Sequence, residues 1–156
     1  MTRAADLCTD CGLCCDGTLF SSVSLDPAGL ITAREHRLPV LETVDSCKLQ
    51  MPCPALRDVL CGVYEDRPEE CADFSCDLLE RVEGGQQSFE GARRIIEETR
   101  ALRARLSETI GDTPWWTARR SLLDAVHHAP DTAGDRDELL ADLNALAKRV
   151  RRHFLG

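Results

Sequence analysis

Cys8-Thr-Asp-Cys11-Gly-Leu-Cys14-Cys15 sets four thiols within eight residues, near the start of a 156-residue chain. Two-residue gaps let successive sulfurs converge on one centre while the intervening amides point at the sulfurs and stabilise their charge. Gly12 and Gly17 supply the tight turns that such a knuckle needs, so Cys8 to Cys15 reads as loop. Adjacent side chains diverge, which sends Cys14 and Cys15 to different centres or to different edges of one cluster. A vicinal disulfide is the alternative for that pair.

One C-x2-C pair is a common zinc knuckle. Three cysteines in this spacing are similar to the opening of the bacterial ferredoxin run, although Cys15 follows Cys14 directly where that run has a three-residue gap. Further along stand Cys47, Cys53, Cys61, Cys71 and Cys76, too irregularly spaced for any zinc-finger template. All nine cysteines precede residue 77, about 12% of that stretch, past the level that marks a cysteine-built scaffold. The start of the chain has no apolar segment of signal-peptide type, so a cytoplasmic location is expected, where thiols stay reduced. An odd cysteine count also fits poorly with a disulfide framework. Reduced, clustered thiols point to metal or redox chemistry.

Charge divides the chain in the same place. Residues 1–80 carry 6 Lys+Arg against 15 Asp+Glu, a net of −9, and residues 81–156 carry 13 against 12, a net of +1. Each thiolate ligand adds to the negative half, and bound metal offsets part of the resulting repulsion. An acidic surface argues against nucleic acid, whose phosphates need cations. No run approaches the length of a membrane span, so no membrane role is expected.

Short elements are expected around the thiols. Thr18–Leu25 reads as a strand, and Asp26-Pro27 as a helix start, with the helix running to about Arg37 before Pro39. Leu41–Cys61 reads as irregular because Pro52 and Pro54 forbid helix around Cys53, and Val59–Tyr64 as a possible strand. Pro68 opens a helix holding Cys71, Phe74 and Cys76. A regular helix would set Cys71 and Cys76 about 140° apart, so either it breaks near Ser75 or the two serve different sites. Gly84-Gly85 marks the boundary between a cysteine region, 1–83, and a helical region, 84–156, expected to form one compact unit.

Beyond that boundary the period is helical. Phe89, Ala92, Ile96, Thr99, Leu102, Leu106 and Ile110 share a face, with Gly111 as the stop. Pro114 starts a second helix that ends before Pro130. Asp135 with Glu138 resembles a capping box ahead of a third, striped by Leu139, Leu143, Leu146, Val150 and Phe154. The expected class is α+β and mostly helical: an irregular, metal-organised N-terminal half with short strands and helices, packed against about three amphipathic helices.

CTDCGLCCDGTLF followed by CPALRDVLCGVYEDRPEECADFSC resembles the YkgJ-like cysteine-cluster proteins, the CxxCxxCC family with its zinc- or iron-chelating domain. The resemblance runs over roughly residues 8–80, and Tyr64, Arg67, Pro68 and Phe74 align in order with eight cysteines. It implies Cys8, Cys11, Cys14, Cys15, Cys53, Cys61, Cys71 and Cys76 as ligands. Cys47 lies outside the pattern, as a ninth ligand or a free thiol. Ala72 stands where the family usually has Arg; if that Arg offsets cluster charge, Arg67 carries more of the role. Tyr64 and Arg67 read either as a packed ring with a backbone-bonded guanidinium, or as groups around the cluster that tune it.

An all-thiolate set excludes hard, oxygen-seeking cations and suits iron–sulfur clusters or zinc. The ferredoxin-like first spacing leans to iron–sulfur, with Zn2+ as the alternative. Family relatives with a methylase role in flagellin modification carry a similar cluster and lean the same way. His36, His127, His128 and His153 read as helix-surface residues, Trp115-Trp116 as packing, and Lys148, Arg149, Arg151 and Arg152 as a solvated last turn that complements the helix dipole. No nucleophile–base pair or phosphate loop stands out, so the reading leans away from an enzyme. The expected roles are electron transfer, redox sensing or support of a partner protein; the alternatives are a structural zinc module that presents its helices to a partner, and metal storage or delivery.

Overall fold

The computed structural model describes residues 3–128 and 135–156. The chain is 56% helical, with an irregular N-terminal half carrying short strands and a helical C-terminal half, the α+β class expected. Two compact units divide between Ala92 and Arg93.

In the first unit, the stretch expected as loop begins with a short helix, α1 (Arg3–Thr9), which carries Cys8 in its last turn. Leu7 is buried, and Thr9 Oγ1 donates to the Asp6 carbonyl at 2.9 Å. The apolar contact of Leu7 gives these few residues the helical form that the cysteine spacing alone did not reveal. Strand β1 is shorter than expected, Ser22–Leu25. Helix α2 (Pro27–Glu35) starts as the sequence predicts: Pro27 takes the first turn and Asp26 Oδ1 accepts from Gly29 N–H at 2.7 Å. The helix ends two residues earlier than expected, with His36 at its C-cap and Arg37 at φ 55°.

The segment read as irregular instead supplies β2 (Val40–Glu42) and β3 (Cys47–Gln50). With β1 they form an antiparallel sheet of order β1-β3-β2, in which Leu49 pairs with Val23 on one side and Val40 on the other. Leu49 and Ala33 of α2 are the centre of a small core with Leu38, Cys53 and Ala55. Each fully buried leucine of this kind contributes about 2 kcal/mol. Strands β4 (Leu56–Arg57) and β5 (Leu60–Cys61) make a tight hairpin, of which only β5 falls in the region read as Val59–Tyr64 strand.

The single helix expected from Pro68 is two. Helix α3 (Glu69–Asp73) stops where Phe74 turns to extended backbone, ψ 120°, and packs edge-on against Phe20 with centroids 5.0 Å apart. Cys76, also extended, opens α4 (Asp77–Glu83), which closes at Gly84. Helix α1 packs against α4.

Helix α5 (Phe89–Ile110) matches the predicted span and stops at Gly111. It is followed by α6 (Trp115–His128), α7 (Asp135–Val150) and a final π-helical turn, Arg151–Leu155. Within the second unit, α6 packs on α7. Leu143, Leu146, Val150 and Phe154 are buried as one stripe, as expected. Asp135, the expected cap, is already helical; Pro130 falls outside the described residues. Arg149 departs from the solvated reading: it donates to Thr99 Oγ1 at 3.1 Å and Glu98 Oε2 at 2.7 Å, tying α7 to α5. Trp115 and Trp116 meet edge-on at 5.7 Å, with Trp115 buried, which fits packing.

Candidate metal centre

All nine cysteines are free thiols, so neither a disulfide scaffold nor a Cys14–Cys15 bridge is formed. The chain runs from α1 through a turn in which Cys15 N–H and Asp16 N–H both donate to the Gly12 carbonyl, at 3.1 and 2.9 Å. Gly12 has φ 69°, and a Cβ there would lie 3.3 Å from Val59 Cα on the β4–β5 hairpin. A side chain is therefore disfavoured twice, by backbone conformation and by space. Gly12→Ala is expected to cost about 1–2 kcal/mol, read as a lower denaturant midpoint.

The turn carries its thiols to two places. Leu13, between Cys11 and Cys14, is fully buried and fixes the middle of the knuckle. Toward one side lie Cys8 on α1 and Cys76 at the head of α4. The thiols of Cys8, Cys11 and Cys76 act electrostatically on Cys14, and those of Cys8 and Cys76 act on Cys11. Toward the other side, Cys15 feels Cys61, Cys53 and Cys71, and Cys71 feels Cys53 and Cys61. Packing supports the second set: Cys53 belongs to the small core, and Cys15 and Cys71 pack against it. A main-chain bond joins the two stretches, Cys53 N–H to the Cys15 carbonyl at 2.7 Å.

Eight cysteines thus fall into two neighbourhoods of four, Cys8/Cys11/Cys14/Cys76 and Cys15/Cys53/Cys61/Cys71. They adjoin, since Cys15 also acts on Cys14 and Cys8 on Cys15. Of the two alternatives for Cys71 and Cys76, the helix break is present, at Phe74, and the two thiols also couple to different sets. Cys47 stands apart at the start of β3, opposite Leu25 and Glu42. Among the described residues, no three His, Cys, Asp or Glu side chains stand close enough to hold a metal ion as they are placed. Ligation therefore requires the thiols of a neighbourhood to draw together.

The electrostatics fit thiols that await a cation. Burial is the first cause that raises the Cys8, Cys11, Cys14, Cys15, Cys53, Cys71 and Cys76 pKa values. Cys11 and Cys15 are pushed up to about 12 and Cys71 to about 11, with neighbouring thiols adding to the rise. Opposing this, backbone amides face the sulfurs in a repeated way. Leu13 does so for Cys11, Ala55 and Leu56 for Cys53, and Leu78 and Leu79 for Cys76. Cys76 makes no capping hydrogen bond to α4, so there the amides act on the sulfur as dipoles. The amides lie two or three residues after each cysteine, the arrangement that holds thiolate charge in metal knuckles.

That repeat at Cys53 and Cys76 was not read from the sequence, although Pro54 after Cys53 was a signal. Leu56 N–H bonds the Cys53 carbonyl at 3.1 Å, closing a turn whose second residue is proline. Arg67 lowers the pKa of one thiol in each neighbourhood, Cys8 and Cys71. Its guanidinium lies 3.8 Å over the Tyr64 ring, and Nη1 donates to the Tyr64 carbonyl. Ala72, in the place of the family's arginine, is exposed. His36 caps α2 and His153 meets the Phe154 ring edge-on at 6.5 Å; the side chains of His127 and His128 lie outside the described residues.

An acidic unit of short helices and strands that carries eight family cysteines, seven of them buried or half-buried and Cys8 exposed, defines a cysteine-based metal chelator. The chain belongs to the CxxCxxCC family, described as "Putative zinc- or iron-chelating domain", whose model matches residues 7–93. No curated protein and no solved structure matches the chain. Among the described residues, no helix is long and apolar enough to cross a membrane.

Proposed function

We propose that this protein binds metal in two adjoining four-thiolate sites, Cys8/Cys11/Cys14/Cys76 and Cys15/Cys53/Cys61/Cys71, and that their occupants are iron–sulfur clusters. The observation that carries this is the electrostatic coupling of the eight family cysteines in two sets of four, which meet at Cys14-Cys15. Four thiolates are the complement of one cubane cluster. Amides aimed at Cys11, Cys53 and Cys76 supply the dipoles that stabilise sulfur charge, and Arg67 offsets charge for both sites from its seat on Tyr64. Such clusters supply one-electron exchange, and two side by side suit a carrier or sensor that serves a partner protein in the cytoplasm. The acidic surface favours a protein partner over nucleic acid.

Zinc is the second reading, because a set of four thiols equally suits a structural tetrahedral site. Anaerobic purification separates the two. Iron–sulfur protein is expected to be brown, with absorption near about 400 nm and iron matched by acid-labile sulfide. A colourless protein with stoichiometric zinc would overturn the iron–sulfur reading and leave the structural module.

A further inference from the structure

The carboxylate of Glu70 has no part in the chelation described above. Glu70 lies in α3, directly before Cys71, and Oε1 accepts from the Asp26 N–H at the head of α2. The carboxylate sits against Gly29, where a Cβ would stand 2.3 Å from Oε2 and 2.8 Å from Oε1. Oε2 is buried with no hydrogen-bond partner among the described residues. Burying a carboxylate oxygen in this way costs free energy. Helix α3 has only five residues, and Pro68 gives it no side-chain cap. An isolated helix of that length does not hold itself. It is pinned at both ends, by Glu70 on α2 and by Phe74 on Phe20.

We propose that Glu70 is a positioning residue, its carboxylate seated in the space that Gly29 leaves at the head of α2, so that α3 presents the Cys71 sulfur to its four-thiol set. The role given to that set rests on the function proposed above; the seat does not.

Three variants test it. In Gly29→Ala the methyl takes the seat and swings the carboxylate out, a movement that a flexible side chain permits without unfolding. Glu70→Ala removes the carboxylate, and Glu70→Gln keeps an acceptor for the Asp26 amide. The readout is the alkylation rate of each cysteine, mapped by mass spectrometry in the full chain, both as purified and after chelator treatment. Cys71 is expected to react roughly tenfold faster in Gly29→Ala and Glu70→Ala, the scale of one lost buried hydrogen bond. The Glu70 charge also raises the Cys71 thiol, so Glu70→Gln, which keeps the seat and loses the charge, should speed Cys71 less than Glu70→Ala does, with Cys8, Cys11, Cys14 and Cys76 unchanged throughout. An unchanged Cys71 rate would overturn the proposal, and so would an equal rise at every cysteine, which marks general loosening. If the purified protein carries no metal, the proposed function fails, while the chelator-treated pattern still decides the role of Glu70.

Discussion

Cys11→Ser and Cys71→Ser are each expected to lose at least half of the bound metal and to lower the melting temperature by about 10 °C or more. The size of the effect follows from how little else holds the first unit. Its sheet core has Ala33, Leu38, Leu49, Cys53 and Ala55 at its centre, and its helices α1, α3 and α4 run for five to seven residues. Helices of that length are not stable alone. A structural four-ligand metal site contributes on the order of 10 kcal/mol to folding, comparable with the whole stability of a domain. Serine keeps the size of the side chain but gives up the soft sulfur donor. Cys47→Ser, on the sheet and outside both sets, is the control and should keep metal content and melting temperature. A Cys11 or Cys71 variant that retained both would contradict metal as the organiser of this unit.

Metal affinity is expected to rise steeply with pH, and the metal-free protein to weaken in alkali. The raised thiols, among them Cys11 and Cys15 at about 12 and Cys71 at about 11, stay protonated at neutral pH. Loading a four-thiol site must then release about four protons, so the apparent affinity gains up to about four decades per pH unit. Proton release on titration with zinc, followed in weak buffer, measures this directly. For the metal-free chain the sign runs the other way. Below the ordinary thiol value of 9.0 both folded and unfolded chains hold their protons, and the thiols' contribution to stability is fully present. Between 9.0 and about 12 the unfolded chain ionises first, the folded chain holds the extra protons, and stability falls as pH rises. Thermal melts of chelator-treated, reduced protein should show a falling midpoint above pH 9; a flat profile would mean that these thiols are not held in a buried, mutually repelling cluster.

The elements legible in the sequence were those with a local cause. Asp26-Pro27 carries its own cap and turn, and the face of Phe89–Ile110 repeats over six turns, so both helices fall where the residues place them. Strands β2 and β3 were hidden because β2 is an edge strand with Leu41 and Glu42 both exposed, which erases the alternation that marks a half-buried strand. The break between α3 and α4 is tertiary: Phe74 leaves the helix to meet Phe20, fifty-four residues earlier in the chain. Arg149 likewise reads as one cation in a basic run until Thr99 and Glu98 are brought beside it.

At the site, residue types and spacing marked nine clustered thiols, and the resemblance to the family set eight of them apart from Cys47. That Cys14 and Cys15 couple to different thiols was one of the options that adjacency allows. Which distant cysteine joins which side was not legible, because the partners come from a hairpin and two separate helices. Nor was the approach of Glu70 to Gly29, forty-one residues apart, which depends on α3 docking against the head of α2.

The claim of two four-thiol sites is tested most directly by native mass spectrometry of anaerobically purified full-length protein, before and after alkylation. Two equal metal-bearing mass increments are expected, with Cys47 as the alkylated residue and the other eight cysteines protected. A single increment, or protection that includes Cys47 and omits a member of either set, would contradict it.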